Sequence, residues 1–233
     1  MANAINSKRI LEVACGPGRH SLFLASNFLT KDKGVLVSCD FSNGMVKKLK
    51  RNYNEGDHDY NKVPGNKSVI DDQTDYLALS DEDNTKLKNM CDVQKIIDEQ
   101  GDFRKLVIGC QANNELLPFP SDFFDCYISN LSIHIVCNPL NQAKEAFRVM
   151  KHGSAACFTV WGRRERSLQF TFWNKVLAEF LNEDQMKTLD AERTHFYMWD
   201  DEGAHLKDCL EKAGFKGIKY WVQAQNFMIR TGH

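Results

Sequence analysis

Two glycines and two carboxylates carry the first chemistry this chain can do. Glu12, Gly16 and Gly18 stand in Ile10-Leu11-Glu12-Val13-Ala14-Cys15-Gly16-Pro17-Gly18-Arg19-His20, and Asp40 ends the later run Val35-Leu36-Val37-Ser38-Cys39-Asp40. Glycines let a backbone turn approach a ligand closely, and an acid at the end of the next apolar run accepts hydrogen bonds from ribose hydroxyls. Together they describe a nucleoside site. Farther on, Asn130 and His134 lie in Ser129-Asn130-Leu131-Ser132-Ile133-His134. An amide there can position a reacting group, and an imidazole titrating near neutrality can deprotonate a phenol, enol or amine. The other reading of His134 is a ring packed at the start of a helix.

Each of these residues sits where a regular element should end. Apolar runs predict strands at about 9–14, 35–39, 105–110, 124–129, 155–161 and 216–224. Ser21 to Leu29 has apolar residues spaced for one helical face, and Ser42 can cap a helix that turns Met45, Val46 and Leu49 inward. A last helix is expected from Asp201 to Ala213, stopped by Gly214, with Leu206, Leu210 and Ala213 on one face. Alternation of this kind predicts an α/β fold with a doubly wound, mostly parallel sheet covered on both faces.

The flanks of the glycine turn select the cofactor. A dinucleotide turn wants a third glycine where Ser21 stands, and a pyrophosphate site has no use for Glu12 inside the strand. Negative charge there suits the cationic amino acid end of a sulfonium cofactor. The segment from Glu12 to Gly18, with Asp40 beyond it, resembles class I S-adenosylmethionine-dependent methyltransferases, and is similar to the small-molecule methyltransferases of ubiquinone and menaquinone pathways. The likeness continues through Asp40-Phe41-Ser42-Asn43-Gly44-Met45, Gln111 to Phe119, Asp122 to Ser132 and Arg148 to Ser154. It implies a Rossmann-like fold with S-adenosylmethionine as cofactor and S-adenosylhomocysteine as product. Cofactor contacts are then expected from Glu12, Ala14, Gly16, Gly18, Asp40, Phe41, Met45, Ala112, Asn113 and Asn130. Asn130 would lie near the transferring methyl, and His20 would either touch the cofactor carboxylate or face solvent. Where the family usually carries an acid in the third loop, this chain has Gln111 or Asn113. The region from Trp161 resembles a substrate wall, with Trp161, Arg163, Phe170, Trp173 and Tyr197 as lining; part of it reads equally as one helix face in a core.

Composition narrows the partners. Thirty basic and 31 acidic side chains give a net charge of −1, so nothing suggests a nucleic-acid footprint. The Asp/Asn-Pro-Pro-aromatic run of base methyltransferases is replaced by Ser129-Asn130-Leu131-Ser132. No apolar run approaches the roughly 20 residues of a membrane span, and a cytoplasmic location is expected. The eight cysteines include no Cys-x-x-Cys pair, so no metal is expected; Cys39, Cys110, Cys126 and Cys157 read as small hydrophobes, while Cys15 lies in the turn. One domain over 1–233 is expected, with a shortened N-terminus whose lid is absent, truncated or supplied by another segment, a second copy or a partner subunit. It has a long insertion at 54–100 before the third strand, ending in a helix over about 83–99, and a substrate-side segment at 162–200. The activity expected is in-line methyl transfer to a small, partly apolar metabolite at an O, N or C atom. The alternative is a non-catalytic subunit that binds cofactor and a protein partner; a protein or tRNA methyltransferase stands behind both.

Overall fold

The apolar runs of the sequence form the middle of a parallel sheet. Its strands are β1 (Arg9–Val13), β2 (Gly34–Asp40), β3 (Thr74–Ala78), β4 (Lys105–Gln111), β5 (Phe124–Asn130) and β6 (Met150–Thr159). They lie in the order β3-β4-β2-β1-β5-β6, and every neighbouring pair is parallel. The computed structural model describes residues 7–30, 33–55, 74–78, 93–99, 105–163, 166–193 and 203–223. The helices are α1 (Arg19–Asn27), α2 (Asn43–Glu55), α3 (Val93–Glu99), α4 (Pro139–Val149), α5 (Leu168–Leu177), α6 (Glu183–Arg193) and α7 (Ala204–Ala213). The chain divides into two compact units, residues 1–160 and 161–233. The whole sheet and α1 to α4 belong to the first; α5, α6 and α7 belong to the second.

Burial explains why the middle strands were legible. Ile10 and Leu11 of β1, Leu36 of β2, Val107 of β4 and Tyr127 of β5 are almost fully buried. A strand with helices over both faces needs such a continuous run. One core cluster joins Leu24, Ala25 and Leu29 at α1 to Ile10, Leu36, Val107 and Cys126 of four strands. Each leucine, isoleucine or valine among them contributes about 1.5–3 kcal/mol by leaving water. Helix α1 is also tied electrostatically: Lys105, at the start of β4 and 1% exposed, donates from Nζ to the carbonyls of Ala25 (3.0 Å) and Ser26 (3.3 Å). Those carbonyls are at the negative end of the helix, where a cation is favoured. Helix α4 begins because Asn138 caps it, its side chain accepting from the Asn141 amide, and Pro139 needs no amide partner in the first turn.

The expected insertion is partly sheet. Residues 74–78 pair with Lys105 to Gly109 as an edge strand, so the chain passes beyond the β4 position and returns to it through α3. An edge strand needs a partner on one side only, and so can be short and mixed in composition. The expected helix over 83–99 is present as Val93–Glu99, while 56–73 and 79–92 lie outside the described residues. Helix α7 starts at Ala204 and stops as expected, with Gly214 at φ 109 and the Phe215 amide bonded back to the Leu210 carbonyl. The strand expected at 216–224 is not formed by residues 216–223; Tyr220, Trp221 and Val222 are exposed there. An apolar run becomes a strand only beside an edge it can pair with.

Candidate functional site

Register places four of the expected residues along one line. Asp40 pairs with Gln111, and Asn130 pairs with Thr159. Val13 pairs with both Cys39 and Ser129, so Ala14, Asp40 and Asn130 each lie one step farther along. Gln111, Asp40, Ala14, Asn130 and Thr159 therefore form a row across the carboxyl ends of β4, β2, β1, β5 and β6. Four strand spacings of roughly 4.8 Å make it roughly 19 Å long. The chain builds β2 and β4 on one side of β1 and then crosses to build β5 on the other. That is the switch point where parallel sheets open a ligand crevice. Two non-glycine residues with left-handed backbone flank it, Ala14 at φ 51 and Leu131 at φ 51. Each costs about 1–3 kcal/mol, and such strain collects at functional sites.

The glycine turn is built from opposite requirements at its two glycines. Gly16 has φ 55, and a Cβ there would meet nothing within 4 Å. Gly18 has φ 81, and a Cβ there would lie 1.8 Å from Cδ1 of Leu49 in α2. Gly16 thus leaves open room, whereas Gly18 lets α2 close against the turn. Asp40 locks the turn to β2: its Oδ2 accepts from the Gly16 amide (2.9 Å) and its Oδ1 from the Ser42 amide (2.8 Å). A carboxylate has about four acceptor positions, so each oxygen keeps one for a further donor. Phe41 and Met45, beside it, are exposed at 71% and 42%; of the α2 side chains expected to turn inward, Val46 and Leu49 do so and Met45 does not. Apolar surface next to a free acceptor pair suits a ring and its ribose. These residues fit the expected nucleoside half of S-adenosylmethionine.

Glu12 is not in that opening. It is 1% exposed, and its carboxylate accepts from Ser21 Oγ (2.5 Å), Ser38 Oγ (3.0 Å) and, on the other oxygen, His20 Nδ1 (3.1 Å). Its role in the geometry is to fasten the first turn of α1 to β1 and β2 through charge-assisted hydrogen bonds. His20 is turned inward at Nδ1 and stacks its ring beside Phe23. Cys15 is buried, and burial, then Glu12 and Asp40, push its thiol well above the ordinary range. A thiol held protonated is a poor nucleophile.

The loop after β4 is held by acids rather than offering them. Glu115 accepts from the amides of Cys137 and Asn138, and Glu145 of α4 accepts from the Leu117 amide while gripping Arg148. Ala112 is buried with its amide on the Asp40 carbonyl, so only its surface is left for a cofactor. Gln111 donates to the Phe41 carbonyl (2.9 Å), and Asn113 Oδ1 accepts from the Glu115 amide (3.0 Å).

At the β5 corner, Asn130 is exposed and His134 is not. His134 is 2% exposed in a turn that precedes α4, not in a helix. Its packed reading is therefore the one the geometry favours; a substrate cannot reach this ring without local opening. Residues with no earlier signal hold the corner. Gln142 of α4 donates to Ser129 Oγ (3.0 Å) and Ser132 Oγ (3.3 Å), and Thr159 bonds Asn130. Only the strand register, which a single sequence does not display, brings them together. Of the expected substrate wall, Trp161 and Arg163 are half-buried, Phe170 and Trp173 fall in α5, and Tyr197 lies outside the described residues. Cys39, Cys110 and Cys126 are buried as expected, but Cys157 is on an exposed face of β6. Among the described residues, no helix is long and apolar enough to cross a membrane.

Comparison with known proteins supplies the family. The model described as "Methyltransferase domain" matches residues 11–158, and that of the "ubiE/COQ5 methyltransferase family" matches residues 94–229. The chain is 32% identical over 109 residues to the chloroplastic 2-methyl-6-phytyl-1,4-hydroquinone methyltransferase 2 of Oryza sativa subsp. japonica, covering 47% of this chain and 25% of that protein. It is 28% identical over 119 residues to the ubiquinone/menaquinone biosynthesis C-methyltransferase UbiE of Haemophilus ducreyi, covering 48% and 45%. The match thus spans less than half the length of these curated relatives. Among solved structures, an arsenic(III) S-adenosylmethionine methyltransferase from Chlamydomonas reinhardtii superposes with a TM-score of 0.49 at 16% identity, over 91% of this chain and 54% of that one. With both family models covering more than half of its residues, the chain belongs to the ubiE/COQ5 methyltransferase family, a class I family whose cofactor is S-adenosylmethionine.

Proposed function

We propose that this chain transfers the methyl group of S-adenosylmethionine to a small, partly apolar hydroxyarene of the hydroquinone type. The observation that carries the proposal is the row at the carboxyl ends of the strands. It has an acid with two free acceptor positions at Asp40, open room at Gly16 and an exposed amide at Asn130. The hydroquinone and quinone-pathway names of the relatives suggest the acceptor class. Asp40 would accept from the ribose hydroxyls, Phe41 and Met45 would cover the base, and the turn around Gly16 would follow the methionine part. The cofactor supplies an electrophilic methyl on sulfur. The protein's share of the catalysis is then to hold the acceptor collinear with it and to exclude water, which needs no obligatory base. Asn130 would orient the acceptor from the β5 side of the crevice. The buried His134 has no step assigned to it.

Titration calorimetry with S-adenosylhomocysteine, followed by transfer of labelled methyl to methylhydroquinone, tests this. Asp40→Asn should weaken cofactor binding by about 1–3 kcal/mol, the range for losing hydrogen bonds to a charged group. Unchanged affinity would remove Asp40 from the site, and no binding by the intact chain would overturn the proposal.

A further inference from the structure

Thr159 governs which end of the Asn130 amide is available. Its Oγ1 accepts from the Leu131 amide (2.9 Å) and donates its single proton to Asn130 Oδ1 (2.6 Å). The Leu131 amide also reaches the Thr159 carbonyl (3.1 Å), so the left-handed corner and the amide hang on one residue of β6. A separation of 2.6 Å is in the range of O–H···O bonds and short of the roughly 2.9–3.0 Å usual for N–H···O. The oxygen of the Asn130 amide is therefore the atom turned to Thr159. Its nitrogen, with two protons, has no hydrogen-bond partner among the described residues. The corner underneath is fixed independently, since Ser129 and Ser132 bond each other (2.7 Å) and both receive Gln142.

We infer that Thr159 is a positioning residue that holds Asn130 as a hydrogen-bond donor toward the acceptor substrate, so that the site selects an oxygen lone pair over an amine. This rests on the proposed function in one respect, that Asn130 borders the methyl-transfer position. A hydroxyarene oxygen accepts from that NH2. The nitrogen of an aromatic amine of the same shape, its lone pair drawn into the ring, is a weaker acceptor and is disfavoured.

The test uses the full chain saturated with S-adenosylhomocysteine, and Thr159→Val, which keeps the shape but not the hydroxyl, beside Thr159→Ser, which keeps the hydroxyl. The Asn130 side-chain NH2 pair is followed by 15N–1H spectroscopy, assigned as the pair missing in Asn130→Asp. Affinities for methylhydroquinone and the matching aromatic diamine are measured by titration. Wild type should prefer the hydroquinone by about tenfold, the worth of one good hydrogen bond gained or lost. Thr159→Val should move the Asn130 pair and erase most of that preference, and Thr159→Ser should restore both. An Asn130 pair unmoved in Thr159→Val, or a wild-type preference for the diamine, overturns the inference. So does a Thr159→Ser variant that behaves like valine, since shape and not the hydroxyl would then be responsible. A chain that binds no S-adenosylhomocysteine would strike the proposed function instead, and the spectrum of the free protein would still decide the Thr159–Asn130 pairing.

Discussion

Gly16→Ala and Gly18→Ala add the same methyl group two positions apart, and their consequences should separate. Both residues have left-handed backbone, φ 55 and φ 81, which costs an L residue about 1–2 kcal/mol. At Gly16 that is the whole folding penalty, because the new Cβ meets nothing within 4 Å. At Gly18 the Cβ falls 1.8 Å from Leu49 Cδ1 and 2.9 Å from its Cγ, so a fully buried leucine must move. Overpacking of this kind adds about 1–3 kcal/mol. Gly18→Ala should therefore lose about 2–5 kcal/mol of stability and Gly16→Ala about 1–2 kcal/mol. For a chain of this size the difference is several degrees in Tm, at about 2–4 °C per kcal/mol. Cofactor affinity should run the other way, with Gly16→Ala losing most of it and the folded fraction of Gly18→Ala keeping it. Urea titration and calorimetry with S-adenosylhomocysteine read the two quantities separately. The double variant Gly18→Ala/Leu49→Ala is the control, because the shortened Leu49 makes room for the added methyl. It should be more stable than the sum of the single losses by at least about 1 kcal/mol, as coupled neighbours are. Strict additivity, or a Gly16→Ala variant that binds normally, would refute the steric assignment of the turn.

Three further outcomes follow from the first unit. Lys105→Met should destabilise the fold by about 1–3 kcal/mol in urea titration, because the last carbonyls of α1 lose a charged donor; an equal or higher midpoint would refute that role. Stability should fall as pH rises past 9. Burial, then Cys157 and Asp125, push the Cys126 thiol from 9.0 up to about 11, so the folded form keeps a proton that the unfolded chain releases. Its contribution is complete below about pH 9 and lost through pH 11, about 2–3 kcal/mol in all, and Cys126→Ala should flatten that part of a pH series of denaturation midpoints. In the folded protein Cys137 should react with iodoacetamide at pH 8 while Cys15 and Cys39 do not, as peptide mass spectrometry would record; equal labelling of Cys15 would mean an open turn.

Strands buried on both faces were legible because burial demands an unbroken apolar run, as in Ile10-Leu11 and Leu106-Val107-Ile108. The edge strand β3 was not, since one paired side asks little of five residues among acids. Residues 216–223 show the converse, an apolar run without a ladder. At the site, residue types announced Asp40 and the glycines, because a turn and a ribose acid require those chemistries. What they could not announce is direction. Glu12 has the right charge but is spent on Ser21, Ser38 and His20, and His134 has the right ring but is enclosed. Thr159 gains its importance only from lying opposite Asn130.

Helix α1 meets a fixed charge of the opposite kind at each pole, Glu12 against Ser21 and His20 in its first turn and Lys105 against its last carbonyls. A helix that follows a glycine turn ordinarily offers its positive end to phosphate. Here a resident anion already occupies the neighbourhood, and a diphosphate arriving at the turn would meet repulsion. Glu12 thus sets the charge beside the turn from inside the fold, through Ser21, Ser38 and His20.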